Sequence, residues 1–107
     1  MGRAGILFST LFGRTRAAVL AVLYGHVGEA FYLRRLARRT EIALGPVQRE
    51  MQQLVDAGLV KKETLGKQAR YRANQASPVS VEIKSLVAKT IGMSDAHAEQ
   101  RSDRVVP

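Results

Sequence analysis

Three groups of side chains in this sequence have the types and spacing for molecular recognition. Val47, Met51, Leu54 and Val55 fall at i, i+4, i+7 and i+8, the buried stripe of a helix. That leaves Gln48, Arg49, Gln52 and Gln53 to face outward. A Gln amide pairs bidentately with adenine and an Arg guanidinium with guanine, so these four suit base edges. The second group is the run Arg34, Arg35, Arg38 and Arg39 around Leu36 and Ala37. The third is Lys61, Lys62, Lys67, Arg70 and Arg72, alternating with apolar residues on either side of Gly66. Cations beside amides that read planar hydrogen-bonding edges point to a polyanion with bases, and double-stranded DNA is the expected partner.

Each group also has a plainer reading. The arginines could only solvate a helix face. Against that, they lie on the helix that would cross the DNA backbone, and only Glu41 is near in sequence to neutralise them. Arg35, Arg38 and Arg39, with Thr40, are therefore expected at phosphates. In the third group, Gly66, Lys67, Gln68 and Arg70 are the expected contacts, Lys67 at the tip. Tyr71 lies opposite Arg70 and Arg72 along a strand and reads as core. The charge is also concentrated. Of a net +8, residues 1–40 carry seven Arg against Glu29 alone, and residues 73–107 are neutral.

Catalysis finds no support. The chain has no cysteine, hence no disulfide, thiolate metal site or cysteine nucleophile. His26 and His97 stand far apart without a second ligand at metal spacing. Glu50 and Asp56 do not share a helix face, and no Ser or Thr has a base in a recognisable motif. No catalytic residue, metal or cofactor is expected. No apolar run approaches the roughly 18 residues needed to cross a bilayer, and residues 1–12 lack a clean signal-peptide core. A cytoplasmic protein with no membrane partner is the expectation.

The elements that must position these groups follow from local pattern. Residues 1–14 read as an apolar N-terminal helix. Thr15 is a plausible N-cap for a helix over 16–23, with Val19, Leu20, Val22 and Leu23 inward. Gly25 and Gly28 bracket a loop, Phe31 and Tyr32 could form a very short strand, and 33–39 is helical. Gly45 and Pro46 open the next helix, with Pro46 at its first position, where a missing N–H is harmless. That helix runs to Ala57 and is stopped by Gly58. Strands over 59–64 and 68–72 meet in a hairpin through Gly66. Ser77 and Pro78 open a last helix ending at Gly92, and residues 93–107 read as a disordered tail. Two short helices, a tight turn and a basic hairpin make a mainly α fold with a small β-hairpin, a winged helix-turn-helix over residues 15–76. In that arrangement the second helix enters the major groove.

The stretch from "TRAAVLAVLYG" through "FYLRRLARRTEIALGPVQREMQQLVDAGLVKKETLGKQARYRAN" resembles winged-helix transcriptional regulators of the ArsR and MarR-like kind. It looks especially like the winged-helix modules beside, or fused to, bacterial nucleotidyltransferases. The resemblance covers residues 15 to about 91, and its most specific part runs from "GPVQREMQQLVDAGLV" into "RYRAN". It implies a dimeric DNA-binding regulator, with Gly45, Gln48, Arg49 and Gln52 at reading-helix positions and Pro46 beside them. Gly66 and Lys67 match the wing tip. The cysteines of metal-sensing members are absent, and so is any nucleotidyltransferase signature.

Two apolar stretches lie outside the compact motif. Ile6, Leu7, Phe8, Leu11 and Phe12 crowd the first dozen residues, and Val79, Ile83, Leu86 and Val87 stripe the last helix. They either cap the domain's own core or join two copies. One winged helix covers a short site, and a two-fold dimer doubles it. Ile6, Leu7, Leu11, Val79, Ile83, Leu86 and Val87 are therefore the expected homodimer interface. The overall expectation is a homodimeric repressor that occludes its operator. The alternatives are an antitoxin-like or other accessory module bound to an unidentified protein partner, for instance a nucleotidyltransferase, and a non-specific nucleic-acid-binding protein.

Overall fold

The computed structural model describes residues 3–95, with side-chain surroundings for residues 5–90. Helix α1 (Arg3–Phe12) and helix α2 (Arg14–Gly25) meet at Gly13 with a bend of 118°. Gly13 has φ +88, a left-handed value that a side chain would strain, and its carbonyl accepts the N–H of Ala17 at 2.9 Å. Gly13 is thus the N-cap of α2, and the expected cap, Thr15, lies inside the first turn. No hydroxyl cap is needed because the glycine itself redirects the chain.

After a loop come β1 (Phe31–Tyr32), α3 (Leu33–Thr40) and α4 (Leu44–Asp56). The turn between α3 and α4 hinges on Glu41, whose φ of 58 is the only positive value at a non-glycine residue described. Its N–H donates to Arg38 O and that of Ile42 to Ala37 O, a pair of bonds that closes the helix and fixes where α4 begins. Helix α4 starts two residues before Pro46, so the proline occupies the first turn, where N–H groups have no intrahelical acceptor. At its far end Gly58, at φ +79, donates to Val55 O, and Leu59 donates to Leu54 O. The same two-bond closure therefore ends both helices.

Strands β2 (Val60–Leu65) and β3 (Gln68–Ala73) form the hairpin, and β1 joins it to give an antiparallel sheet ordered β1-β3-β2. Phe31 lies opposite Tyr71 and Tyr32 opposite Arg70. One sheet face brings Phe31, Val60, Tyr71 and Ala73 into the core, where they join Leu20, Leu23, Leu36, Val47, Met51 and Leu54. The Tyr24 hydroxyl donates to Leu59 O at 2.6 Å and ties α2 to the start of the hairpin. Burial raises the Tyr24 phenol above its ordinary range.

Helix α5 (Ser80–Asp95) packs on α1 and α2. It begins later than expected because residues 74–79 are used in turns. Asn74 Oδ1 accepts the N–H of Ala76, and Ser80 Oγ donates back to Gln75 O. The helix also runs three residues past Gly92, into the segment expected to be tail; residues 96–107, with His97, lie outside the described residues. Among the described residues no single helix is long and apolar enough to cross a membrane.

Candidate nucleic-acid interface

The buried stripe Val47, Met51 and Leu54 turns Gln48, Arg49 and Gln52 to the surface of α4, as the spacing requires. Gly45 is exposed in the first turn and Pro46 half-buried beside it. A Cβ on Gly45 would come within 3.6 Å of Arg49 Nη1. The guanidinium therefore lies back along the helix toward its N-terminus, the direction in which helical side chains lean. Gln52 Nε2 donates to Asp56 Oδ1 at 3.0 Å, which holds that amide at the far end of the helix. Of these three, Gln48 and Arg49 have no side-chain hydrogen bond or ion pair among the described residues.

Gln53 is exposed but engaged with the body of the domain. Arg16 of α2 donates from Nη2 to Gln53 Oε1 at 2.7 Å and from Nε to Glu50 Oε2. One guanidinium thus grips two residues about one turn apart on the α4 flank and fixes the helix's rotation against α2. Nothing in local pattern announces this link, because the partners are 34 and 37 residues apart.

The four arginines of α3 divide into two pairs. Arg35 forms an ion pair with Glu29 at 2.7 Å and stacks over the buried Phe31 ring, 4.5 Å from its centroid. Arg39, one turn on, lies 5.7 Å from the same centroid, so both guanidinium groups roof one aromatic ring. Arg34 and Arg38 are exposed and have no ion-pair partner among the described residues. Arg34 lines a cleft of about 230 Å³ with Tyr32, Leu44 and Gln68, between the starts of α3 and α4 and the wing. Arg38 follows it at i+4 on the same side of the helix.

The residues expected at phosphates are therefore not equally open. Arg35 is committed to Glu29 and Phe31, and Arg34, not singled out from the sequence, takes the open position. Thr40 is also redirected. Its hydroxyl bonds back to Leu36 O at 2.8 Å, and the residue lines a separate cavity of about 430 Å³ with Phe8, Arg14 and Ala17. A residue on the inner side of α3 turns toward α1 and α2, away from the arginine side.

On the wing, Gly66, Lys67 and Gln68 are exposed at and beside the tip. Arg70 differs from expectation. It bonds Glu63 Oε1 at 3.2 Å, while Arg72 bonds Glu63 Oε2 at 2.5 Å. The register explains this, since Glu63 faces Arg70 directly and Arg72 is the next residue on that sheet face. The hydrogen bond from Arg72 is the main reason the Glu63 carboxyl lies below its ordinary range, reinforced by both positive charges. The wing cations without a partner among the described residues are Lys61, Lys62 and Lys67.

At the other end of the molecule Ile6, Leu7 and Leu11 are 57%, 57% and 70% exposed, although Phe8 and Phe12 of the same helix pack inward edge to face. Leu7, Phe8, Leu11 and Leu86 line an almost wholly apolar groove of about 190 Å³ between α1 and α5. Val79 and Leu86 are partly exposed, but Ile83 and Val87 are buried in the domain's own core. Those two were expected at an interface between copies. They face α1 and α2 instead, because α5 is apolar on both sides and its neighbours take this one.

Elsewhere His26 is exposed. Its Nδ1 donates to Val22 O at 3.0 Å and its ring meets Phe31 edge-on. Among the described residues no three His, Asp or Glu side chains gather as a metal site would require.

A helix-turn-helix made by α3 and α4, followed by the β2–β3 hairpin and flanked by α1, α2 and α5, is a winged helix-turn-helix domain. The same architecture recurs in a MarR family transcriptional regulator from Silicibacter pomeroyi, at TM-score 0.67 and 21% identity over 94% of this chain and 74% of that one. It recurs again in reduced HlyU from Vibrio cholerae, at TM-score 0.56 and 17% identity over 82% of each chain. No protein-family model matches the chain, and no curated protein sequence matches it.

Proposed function

We propose that this chain is a sequence-specific regulator that binds double-stranded DNA, of the ArsR/MarR-like kind. In this reading it acts in the bacterial cytoplasm as a homodimeric repressor that covers its operator. The observation that carries the reading is the exposed N-terminal half of α4. Gln48 and Arg49 are exposed there with no hydrogen bond or ion pair among the described residues, and Arg34, Arg38 and the wing's Lys67 are exposed cations equally without an ion pair among them. Amide and guanidinium groups between unneutralised cations suit base edges between two phosphate backbones. The likeness in fold to a MarR family transcriptional regulator supports the same reading.

Mechanistically, α4 enters the major groove with its first turns foremost, and Arg49 and Gln48 read bases. Arg38 and the wing set the register on phosphates. A second copy joins through Ile6, Leu7 and Leu11 of α1 with Leu86 and Val79 of α5, and doubles the site into an inverted repeat. Selection of genomic fragments on purified protein, then footprinting at two salt concentrations, tests this. An inverted repeat with half-sites about 10 bp apart supports it. Uniform retention of all fragments, vanishing with salt, points instead to non-specific phosphate binding.

The apolar α1–α5 groove favours one other reading, in which that face binds a different protein and the winged helix is an accessory or antitoxin-like partner, for instance of a nucleotidyltransferase. A footprint would then be missing, and a stoichiometric partner would co-purify.

A further inference from the structure

The cleft that Arg34 lines is assembled from three stretches of chain. The pairing of β1 with β3 sets Tyr32 opposite Arg70, two residues from Gln68 beside the wing's tip. Helix α3 follows β1 without a loop, so Arg34 emerges beside that strand. Leu44, the first residue of α4, closes the third side. The walls of Leu33, Leu44 and Ala69 are apolar, Tyr32 and Gln68 bring side-chain hydrogen-bonding groups, and no carboxylate among the described residues lines the space. Its volume of about 230 Å³ is several times the roughly 30 Å³ share of one water, enough for a phosphate group. The first turn of α4, with its partial positive charge, forms one edge.

Arg34 contrasts with its neighbour. Arg35 spends its charge on Glu29 and its flat face on Phe31, whereas Arg34 has no such partner among the described residues. A guanidinium left unpaired beside an apolar notch is suited to an anion that brings its own carbon surface. A phosphodiester with its flanking sugar has that chemistry.

Resting on the DNA-binding reading above, we propose that this cleft seats one phosphodiester of the duplex backbone, held by Arg34. It locks the angle between α4 and the wing on the DNA. Binding of the selected duplex and of a random duplex, measured by fluorescence anisotropy across a salt series, tests it with the wild type, Arg34→Gln and Arg35→Gln. For Arg34→Gln we expect an affinity loss of about tenfold on both duplexes. The slope of log affinity against log salt should shrink by about 1. Arg35→Gln should keep the wild-type slope. A scan of single methylphosphonate substitutions should then reveal one position that weakens the wild type but not Arg34→Gln.

An unchanged slope in Arg34→Gln, or an equal change in Arg35→Gln, overturns the assignment while leaving DNA binding intact. So does a methylphosphonate scan identical for wild type and Arg34→Gln. A wild type that binds no duplex overturns the DNA-binding reading itself and takes the cleft with it.

Discussion

The two ends of this domain leave opposite kinds of group unsatisfied. At the α4–wing end, Arg34, Arg38, Arg49 and Lys67 stand in solvent without counter-charges among the described residues. Glu29, Glu50 and Glu63 are bound to Arg35, Arg16 and the Arg70–Arg72 pair. At the α1–α5 end the surface is apolar, with Ile6, Leu7, Leu11 and Leu86 turned outward. A domain optimised only for its own stability would neutralise the first surface and bury the second. The difference teaches that Glu29, Glu50 and Glu63 act within the domain, fixing its elements in place, and leave a subset of cations free. The apolar end has the same division, since Phe8, Ile83 and Val87 serve the core while their neighbours remain available.

The largest expected effect comes from the core that both ends share. Met51 is fully buried beneath the exposed face of α4 that carries Gln48 and Arg49. Met51→Ala should destabilise the fold by about 2–5 kcal/mol, seen as a lower midpoint in chemical denaturation. A loss under about 1 kcal/mol would mean that α4 is not held by this stripe, and the outward placement of Gln48 and Arg49 would lose its basis.

A smaller effect is expected at the apolar end. Leu11→Glu and Leu7→Glu alter residues that are already exposed, so folding should be retained. If the face joins two copies, each removes about 1.5–3 kcal/mol of burial from each protomer. Sedimentation should show monomers, and the footprint should shrink to a half-site. A protein equally dimeric with both substitutions would break the comparison by leaving this face without a role.

At the other end Arg49→Ala should reduce discrimination for the selected site by about 1–3 kcal/mol and alter random-duplex binding much less. Arg38→Ala should weaken both alike. Equal losses on both duplexes for Arg49→Ala would move Arg49 from the reading group to the phosphate group.

What was legible in the sequence divides along physical lines. The inward face of α4 was readable because its apolar spacing is local, and the hairpin because Gly66 sits between two alternating runs. The position of Tyr71 in the core followed from the two-residue period of a strand. The roles of the arginines were not readable in the same way. Arg34 and Arg35 are chemically identical neighbours, and only the pairing of β1 with β3 and the place of Glu29 separate them. The pairing of Arg70, expected as a wing contact, with Glu63 was not readable because the cross-strand register that sets them opposite each other depends on the turn. In α5 the apolar residues cover more than one side. Which of them faced inward was decided by α1 and α2, so Ile83 and Val87 were not separable from Val79 and Leu86.

The smallest effect concerns the turn that joins α3 to α4. Glu41 adopts a left-handed conformation at φ 58, which glycine accepts without strain, and its side chain is exposed, with no ion pair among the described residues. The strain relieved by Glu41→Gly is about 1–2 kcal/mol. The extra freedom of glycine in the unfolded chain offsets about 0.4–1 kcal/mol of it. The net expectation is a gain of several tenths to about 1 kcal/mol, a rise of a few degrees in melting temperature. Removing a negative charge beside Arg38 should also raise affinity slightly on specific and random duplexes alike. A loss of stability would show that the glutamate side chain makes an interaction outweighing its strain. A gain in stability with a selective loss on the specific duplex would show something sharper. The strained turn would then be setting the angle of α4 for base reading, and the basic end would have given up stability for geometry as well as for charge.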